Sequence, residues 1–167
     1  IEELAKRRIV NGKTEEIYDP TAGMTRGQFS AMLVRALDLH AEKEQQFRDA
    51  KTSAFAQELQ ALVEIGVLKG HSNQQKPGAT VTRNQAALMI ERLFTYLELD
   101  LPEVSGEELN FTDIEKIPES SKKSVALMQQ LGIFTGKDDG RFDPNGKLTR
   151  SQMSKVIYKA LTYAKMM

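Results

Sequence analysis

Leu148-Thr149-Arg150-Ser151-Gln152 has two counterparts in the same chain, Val81-Thr82-Arg83-Asn84-Gln85 and Met24-Thr25-Arg26-Gly27-Gln28. In each, an apolar residue precedes a Thr-Arg-x-Gln box. A glycine lies a similar distance upstream of each box: Gly12, Gly70 and Gly136. An apolar pair leads to each glycine: Ile9-Val10, Val67-Leu68 and Ile133-Phe134. Phe47-Arg48-Asp49 and Phe111-Thr112-Asp113 add a Phe-x-Asp further upstream in the second and third copies. Self-similarity of this kind marks a tandem repeat, and reading it first guards against a wrong fold assignment.

The residues after each box are apolar at matched offsets. They are Phe29, Met32, Leu33, Ala36 and Leu37, then Ala86, Met89, Ile90, Leu93 and Phe94, then Met153, Val156, Ile157, Ala160 and Leu161. This i, i+3, i+4, i+7, i+8 stripe is that of an amphipathic helix. Before the glycines, Phe55, Leu59, Leu62 and Val63 repeat the pattern, as do Val125, Met128 and Leu131; Ile1, Leu4 and Ala5 remain of it in the first copy. Asp19-Pro20, Pro77-Gly78 and Asp143-Pro144 supply turn formers between the two stripes. Each unit therefore reads as helix, loop, helix. Polar linkers at 38–46 and 98–110 set the repeats at 1–40, 47–99 and 111–164. One helical hairpin cannot bury both its stripes, whereas three packed together can. The expectation is an all-α fold, with residues 1–167 forming one three-repeat helical domain.

Bulk composition agrees. The 167 residues are 40% hydrophobic and 28% charged, ordinary values for a soluble globular chain. Lys+Arg and Asp+Glu are both 23, so there is no basic excess of the kind a nucleic-acid surface needs. Without cysteine, disulfides and thiolate metal sites are impossible. No apolar run approaches the roughly 18 residues of a membrane span. The helix-like start at Ile1 reads as a fragment or a trimmed mature chain.

The box has a physical meaning. Thr25, Thr82 and Thr149 with Gln28, Gln85 and Gln152 form capping boxes, in which threonine accepts from the first turn and glutamine reaches back to the threonine N–H. Each cap is worth about 1 kcal/mol. The arginines break a rule: Arg26, Arg83 and Arg150 sit at the first helical position, where the dipole disfavours a cation. A violation repeated three times implies a compensating role. Two roles are open. Each arginine pairs with an acid of a neighbouring unit, Asp49 or Asp113, or each joins the helix N-terminus in holding an external carboxylate or phosphate. Arg35, Arg92 and Lys159 recur nearer the helix ends, where cations suit the dipole.

Leu131-Gly132-Ile133-Phe134-Thr135-Gly136, Arg141-Phe142-Asp143-Pro144 and Leu148-Thr149-Arg150, with Phe-x-Asp upstream, resemble the S-layer homology domain family. The second copy is similar in its helices and glycines, and the first from its first helix onward. That resemblance implies a pseudo-threefold helical module that anchors surface proteins at the bacterial cell wall or S-layer. The implied partner is anionic, carboxylate-bearing secondary cell wall polysaccharide, often pyruvylated, held noncovalently in grooves between repeats, with S-layer neighbours as further partners. It implies no cofactor, no metal and no catalysis. The family's Thr-Arg-Ala-Glu falls on the three boxes, which makes Arg26, Arg83 and Arg150 the residues expected to meet the carboxylate. Gly70 and Gly136 are expected to let the backbone approach the sugar. The alternative function is an assembly module with its arginines in inter-repeat salt bridges.

The chain departs from the family pattern in places. Glutamine replaces glutamate in all three boxes, Gln75-Lys76-Pro77 replaces Phe-Asp-Pro in the second copy, and Arg8 stands where Gly66 and Gly132 stand. There is no tryptophan; the loop aromatics Tyr18 and Phe142 read as packing residues. His40 and His71 lie in different units and read as solvated. Asp138-Asp139-Gly140 lacks the ligand register of a calcium loop and reads as a polar turn. No nucleophile motif or phosphate-cradling glycine loop is present, and no loop acid recurs in all three copies.

Overall fold

The computed structural model describes residues 2–10, 19–70 and 72–167. Ile1, Gly12, Tyr18 and His71, singled out above, lie outside the described residues. The chain is all-helical: α1 (Glu2–Lys6), α2 (Arg26–Leu37), α3 (Ala56–Glu64), α4 (Arg83–Tyr96), α5 (Glu119–Gln130) and α6 (Arg150–Tyr163). Among the described residues there is no strand, only three isolated antiparallel bridges: Gly23 with Thr149, Thr25 with Thr80, and Thr82 with Lys147. No described helix is long and apolar enough to cross a membrane.

The capping boxes start α2, α4 and α6. Thr25 Oγ1 accepts from Gln28 N at 3.2 Å while Gln28 Oε1 accepts from Thr25 N at 3.1 Å. Thr82 with Gln85 and Thr149 with Gln152 repeat both bonds. After α1, α3 and α5 the chain turns through a left-handed residue: Arg8 (φ 56°), Gly66 (φ 75°) and Gly132 (φ 66°). The next N–H groups fold back, Ile9 N to Leu4 O and Ile133 N to Met128 O, both at 2.9 Å. These bonds satisfy carbonyls that a helix end otherwise leaves open.

Two compact units are distinguished, 1–81 with 148–157, and 82–147 with 158–167. Neither coincides with a repeat. In the first unit α2 packs on α3, so the second helix of one repeat lies against the first helix of the next. Leu4, Phe29, Leu33, Leu59 and Leu62 are fully buried there. Met24, Val81 and Leu148, the residues just before the three boxes, form a closed ring in this unit. Met24 N donates to Leu148 O (2.9 Å), Leu148 N to Val81 O (3.1 Å) and Val81 N to Met24 O (2.9 Å). All three side chains are buried. In the second unit α4 packs on α5 in the same manner. Its core holds Ile90, Leu93, Phe94, Met128 and Phe142. The stripes of α4 and α6 are buried along their length; in α2, Ala36 and Leu37 are only half-buried because the helix ends there.

Candidate functional site

Each boxed helix starts against a loop of another repeat, and the pattern repeats three times. In the first unit Arg26 N donates to Ala79 O and Gly27 N to Pro77 O. Arg150 N likewise donates to Ala22 O and Ser151 N to Pro20 O. In the second unit Arg83 N donates to Gly146 O and Asn84 N to Pro144 O. The third N–H of each helix goes to the cap threonine. The free N-terminal N–H groups expected to help hold an external anion are therefore spent inside the protein. Of that expected clamp, the guanidinium alone remains, and the carbonyls aimed at each helix start offset the positive end of the dipole.

In the second unit Arg83 is 9% exposed. Its Nε donates to Phe142 O at 2.5 Å. Its guanidinium carbon stands 4.9 Å from the Phe134 ring centre and 5.1 Å from that of Phe142. Both distances suit a cation–π contact. Phe142 also packs on Phe111 at 5.3 Å and is fully buried, which accords with a packing role for this loop aromatic. Burial pulls the Arg83 cation below the usual arginine value, with Asp143 and Asp113 opposing that pull. Arg83 forms no ion pair among the described residues, and its Nη2 is buried with no hydrogen-bond partner there.

The acids suggested as arginine partners hydrogen-bond the backbone of the loops. Asp113 accepts from Phe142 N at 2.7 Å and from Asp143 N at 2.9 Å. Asp49 accepts from Gln75 N and Lys76 N, the latter at 2.8 Å. Each Phe-x-Asp acid thus pins the loop of its own repeat. Asp49 is held below the usual 3.8: burial pushes it up, and the N–H groups of Gln75 and Lys76, with Arg26, together pull it lower.

Arg26, half-buried, donates through Nη2 to Lys69 O at 3.3 Å and Gln75 Oε1 at 3.4 Å. Arg150 is 7% exposed at the start of α6. Gly70 and Gly136 permit a close approach, but to a ring of the chain's own. A side chain at Gly70 would strike the ring of Phe47, and one at Gly136 would come within 2.9 Å of Phe111. The phenylalanine of each Phe-x-Asp seats on the glycine of its own repeat.

The remaining polar groups act locally. Lys159 donates to Gly132 O just past α5, a cation at a helix C-terminus. Lys137 pairs with Asp143 and Arg141 with Asp139, so the 137–143 turn spends two of its acids on its own cations. His40 is exposed.

Fold and site together define a class: an all-helical module in which one helix-start guanidinium, that of Arg83, is buried against two aromatic rings. Residues 1–30 and 110–154 match the model of the S-layer homology domain. The chain belongs to that family, a noncatalytic module that anchors proteins at the bacterial cell wall or surface layer. It is 35% identical over 161 residues to an endoglucanase of Bacillus sp. (strain KSM-635), covering 94% of this chain and 17% of that protein. It is 31% identical over 163 residues to an amylopullulanase of Thermoanaerobacterium thermosulfurigenes, covering 96% of the chain and 9% of the relative. It is 25% identical over 159 residues to the S-layer protein sap of Bacillus anthracis, covering 93% and 19%. The chain spans less than a fifth of each of these relatives.

Proposed function

We propose that this chain fastens a larger surface protein to anionic, carboxylate-bearing secondary cell wall polysaccharide, without covalent bonds or a cofactor. Arg26, Arg83 and Arg150 are the carboxylate readers, in a three-repeat module spanning 1–167. The ring of Met24, Val81 and Leu148, one residue from each repeat, supports that organisation. The observation that carries the function is the state of Arg83. A guanidinium stripped of most of its water needs hydrogen-bond partners and a counter-charge. Arg83 has two aromatic faces and one carbonyl, no carboxylate in ion-pair range among the described residues, and one buried N–H group without an acceptor. A ligand carboxylate would supply both missing things, with the charge-assisted geometry that arginine favours. The alternative, an assembly module with arginines in inter-repeat salt bridges, would need Asp113 for Arg83. Both Asp113 oxygens are engaged by Phe142 N and Asp143 N.

The test is sedimentation of the chain with purified cell walls, intact or freed of pyruvyl groups by mild acid, beside Arg83→Met. Methionine keeps a stem to lie against the two rings and removes the charge. Binding is expected to weaken by at least about tenfold for stripped walls and for the variant, the worth of one hydrogen bond to a charged group. Equal binding to intact and stripped walls would remove the carboxylate from the account. No binding to either would remove the anchoring role from this chain.

A further inference from the structure

Gln75 occupies in the first unit the place that Phe142 occupies in the second. Both are the first of two loop residues whose N–H groups are pinned by the Phe-x-Asp acid, Asp49 for one and Asp113 for the other. Both are buried beside a helix-start arginine: Phe142 is 0% exposed and Gln75 is 1% exposed. They fill that place differently. Phe142 offers Arg83 a ring. Gln75 offers Arg26 an amide oxygen at 3.4 Å. With Oε1 turned toward the cation, the amide nitrogen is set on the same side chain beside it, and Nε2 is buried with no hydrogen-bond partner. An unmade buried donor destabilises a folded chain, and an apolar residue of similar shape would remove that penalty. The bond from Arg26 accounts for the amide oxygen but not for the buried Nε2; an acceptor that arrives with a ligand does.

The surroundings say what kind of acceptor. From Gly66 to Thr80 the chain contains no acid, and Lys69 and Lys76 flank Gln75 there. The equivalent turn in the second unit carries Asp138, Asp139 and Asp143, two of them paired with Lys137 and Arg141. The first unit's loop therefore has no acid of its own beside its two lysines, its backbone being held by Asp49 from outside, and the second unit's loop is neutralised from within.

We propose that Gln75 is a specificity-determining residue: its Nε2 donates to an oxygen of an acidic sugar whose carboxylate Arg26 faces, so the first unit reads the glycan through an amide and a cation. This rests on the reading that the helix-start arginines meet the wall's carboxylate. The Arg83 site reads the same charge between two rings, so the two sites differ in what they ask of the sugar around it.

The experiment uses the whole chain, a methyl glycoside carrying a pyruvyl ketal, and the methyl ester of that ketal as the uncharged control. Calorimetric titration is run on the native chain, Gln75→Leu and Gln75→Glu, with urea unfolding of each in the absence of sugar. Gln75→Leu removes the donor; Gln75→Glu keeps an oxygen toward Arg26 and so guards against a variant that merely fails to fold. The proposal expects the native chain to prefer the acid over the ester. It expects both variants to bind the acid roughly tenfold more weakly, and Gln75→Leu to unfold at higher urea than the native chain. If the native chain binds and both variants bind as well as it does, Gln75 reads nothing, and the wall-binding function stands without it. If Gln75→Leu lowers stability, the amide is a structural prop and the proposal is overturned. If the native chain binds neither acid nor ester, or binds both alike, the carboxylate reading itself fails and this inference falls with it.

Discussion

A cation in the first turn of a helix faces the positive end of the dipole, yet Arg83 is placed there with little water around it. The structure resolves the conflict at the level of single atoms. The N–H groups of Arg83 and Asn84 point at Gly146 O and Pro144 O, and its Nε at Phe142 O. One carbonyl oxygen therefore meets the guanidinium itself, and two more at the backbone N–H groups offset the positive helix start beside it. Arg8 is the opposite case, a violation for which the described residues show no compensation. It sits at φ 56°, where the matching residues after α3 and α5 are Gly66 and Gly132. A residue with a Cβ in the left-handed region is disfavoured by roughly 1–2 kcal/mol, partly offset because glycine loosens the unfolded chain. Arg8→Gly is therefore expected to stabilise the protein by about 0.5–1 kcal/mol, and Gly132→Ala to destabilise it by about 1 kcal/mol or more. Urea unfolding of the two variants checks both signs. A destabilised Arg8→Gly would mean that the Arg8 side chain contributes more than its backbone strain removes.

At the scale of elements, the loops are held by carboxylates and the helices by caps, and only the first depends on pH. Asp49 lies below the usual 3.8 because the N–H groups of its loop outweigh the effect of burial. Asp143 is lowered chiefly by its hydrogen bond from Lys137, against burial. Glu64, lowered from the usual 4.5 first by Glu42 N, ties the linker after α2 to α3. A carboxylate with a depressed folded pKa contributes its stability above the unfolded value and loses it as pH falls through the folded one. Unfolding free energy should therefore be level with respect to these three groups from neutral pH to about pH 5 and decline below about pH 4. Asp49→Asn should make that decline shallower. A profile as steep in Asp49→Asn as in the native chain would separate Asp49 from the acid response. The caps and stripes were legible in the sequence because they are local: Thr82 and Gln85 are three residues apart, and Ile90 and Leu93 follow from helical period. The carbonyls that meet the helix starts were not legible. Pro77 and Ala79 reach Gly27 and Arg26 across about fifty residues of chain, and no periodicity records such a contact. The seat that Gly70 gives the Phe47 ring is likewise not recorded by any periodicity, since the two residues belong to different motifs.

At the scale of the molecule, the question is whether the chain behaves as beads in series or as one closed construction. Beads would tolerate removal of the last helix. The first unit argues against that, because it includes residues 148–157. Leu148 closes the ring with Met24 and Val81, Arg150 N meets Ala22 O, and Ser151 N meets Pro20 O. A chain ending at Lys147 would leave Met24 N without its acceptor and Val81 O without its donor, in a place shut off from water. It would also withdraw Leu148, Met153, Val156 and Ile157, all buried, from that unit's core. At about 1.5–3 kcal/mol for each buried side chain, the loss is roughly 6–12 kcal/mol. That is comparable to the whole stability of an ordinary domain, about 5–15 kcal/mol. The truncated chain is therefore expected to lose the helical signal of α2 and α3 as well as that of α6, and to show no cooperative thermal transition by circular dichroism. Should it instead melt cooperatively, with only α6 missing from its helical signal, the ring would be a contact and not a closure. Repeats one and two would then have to be treated as folding on their own.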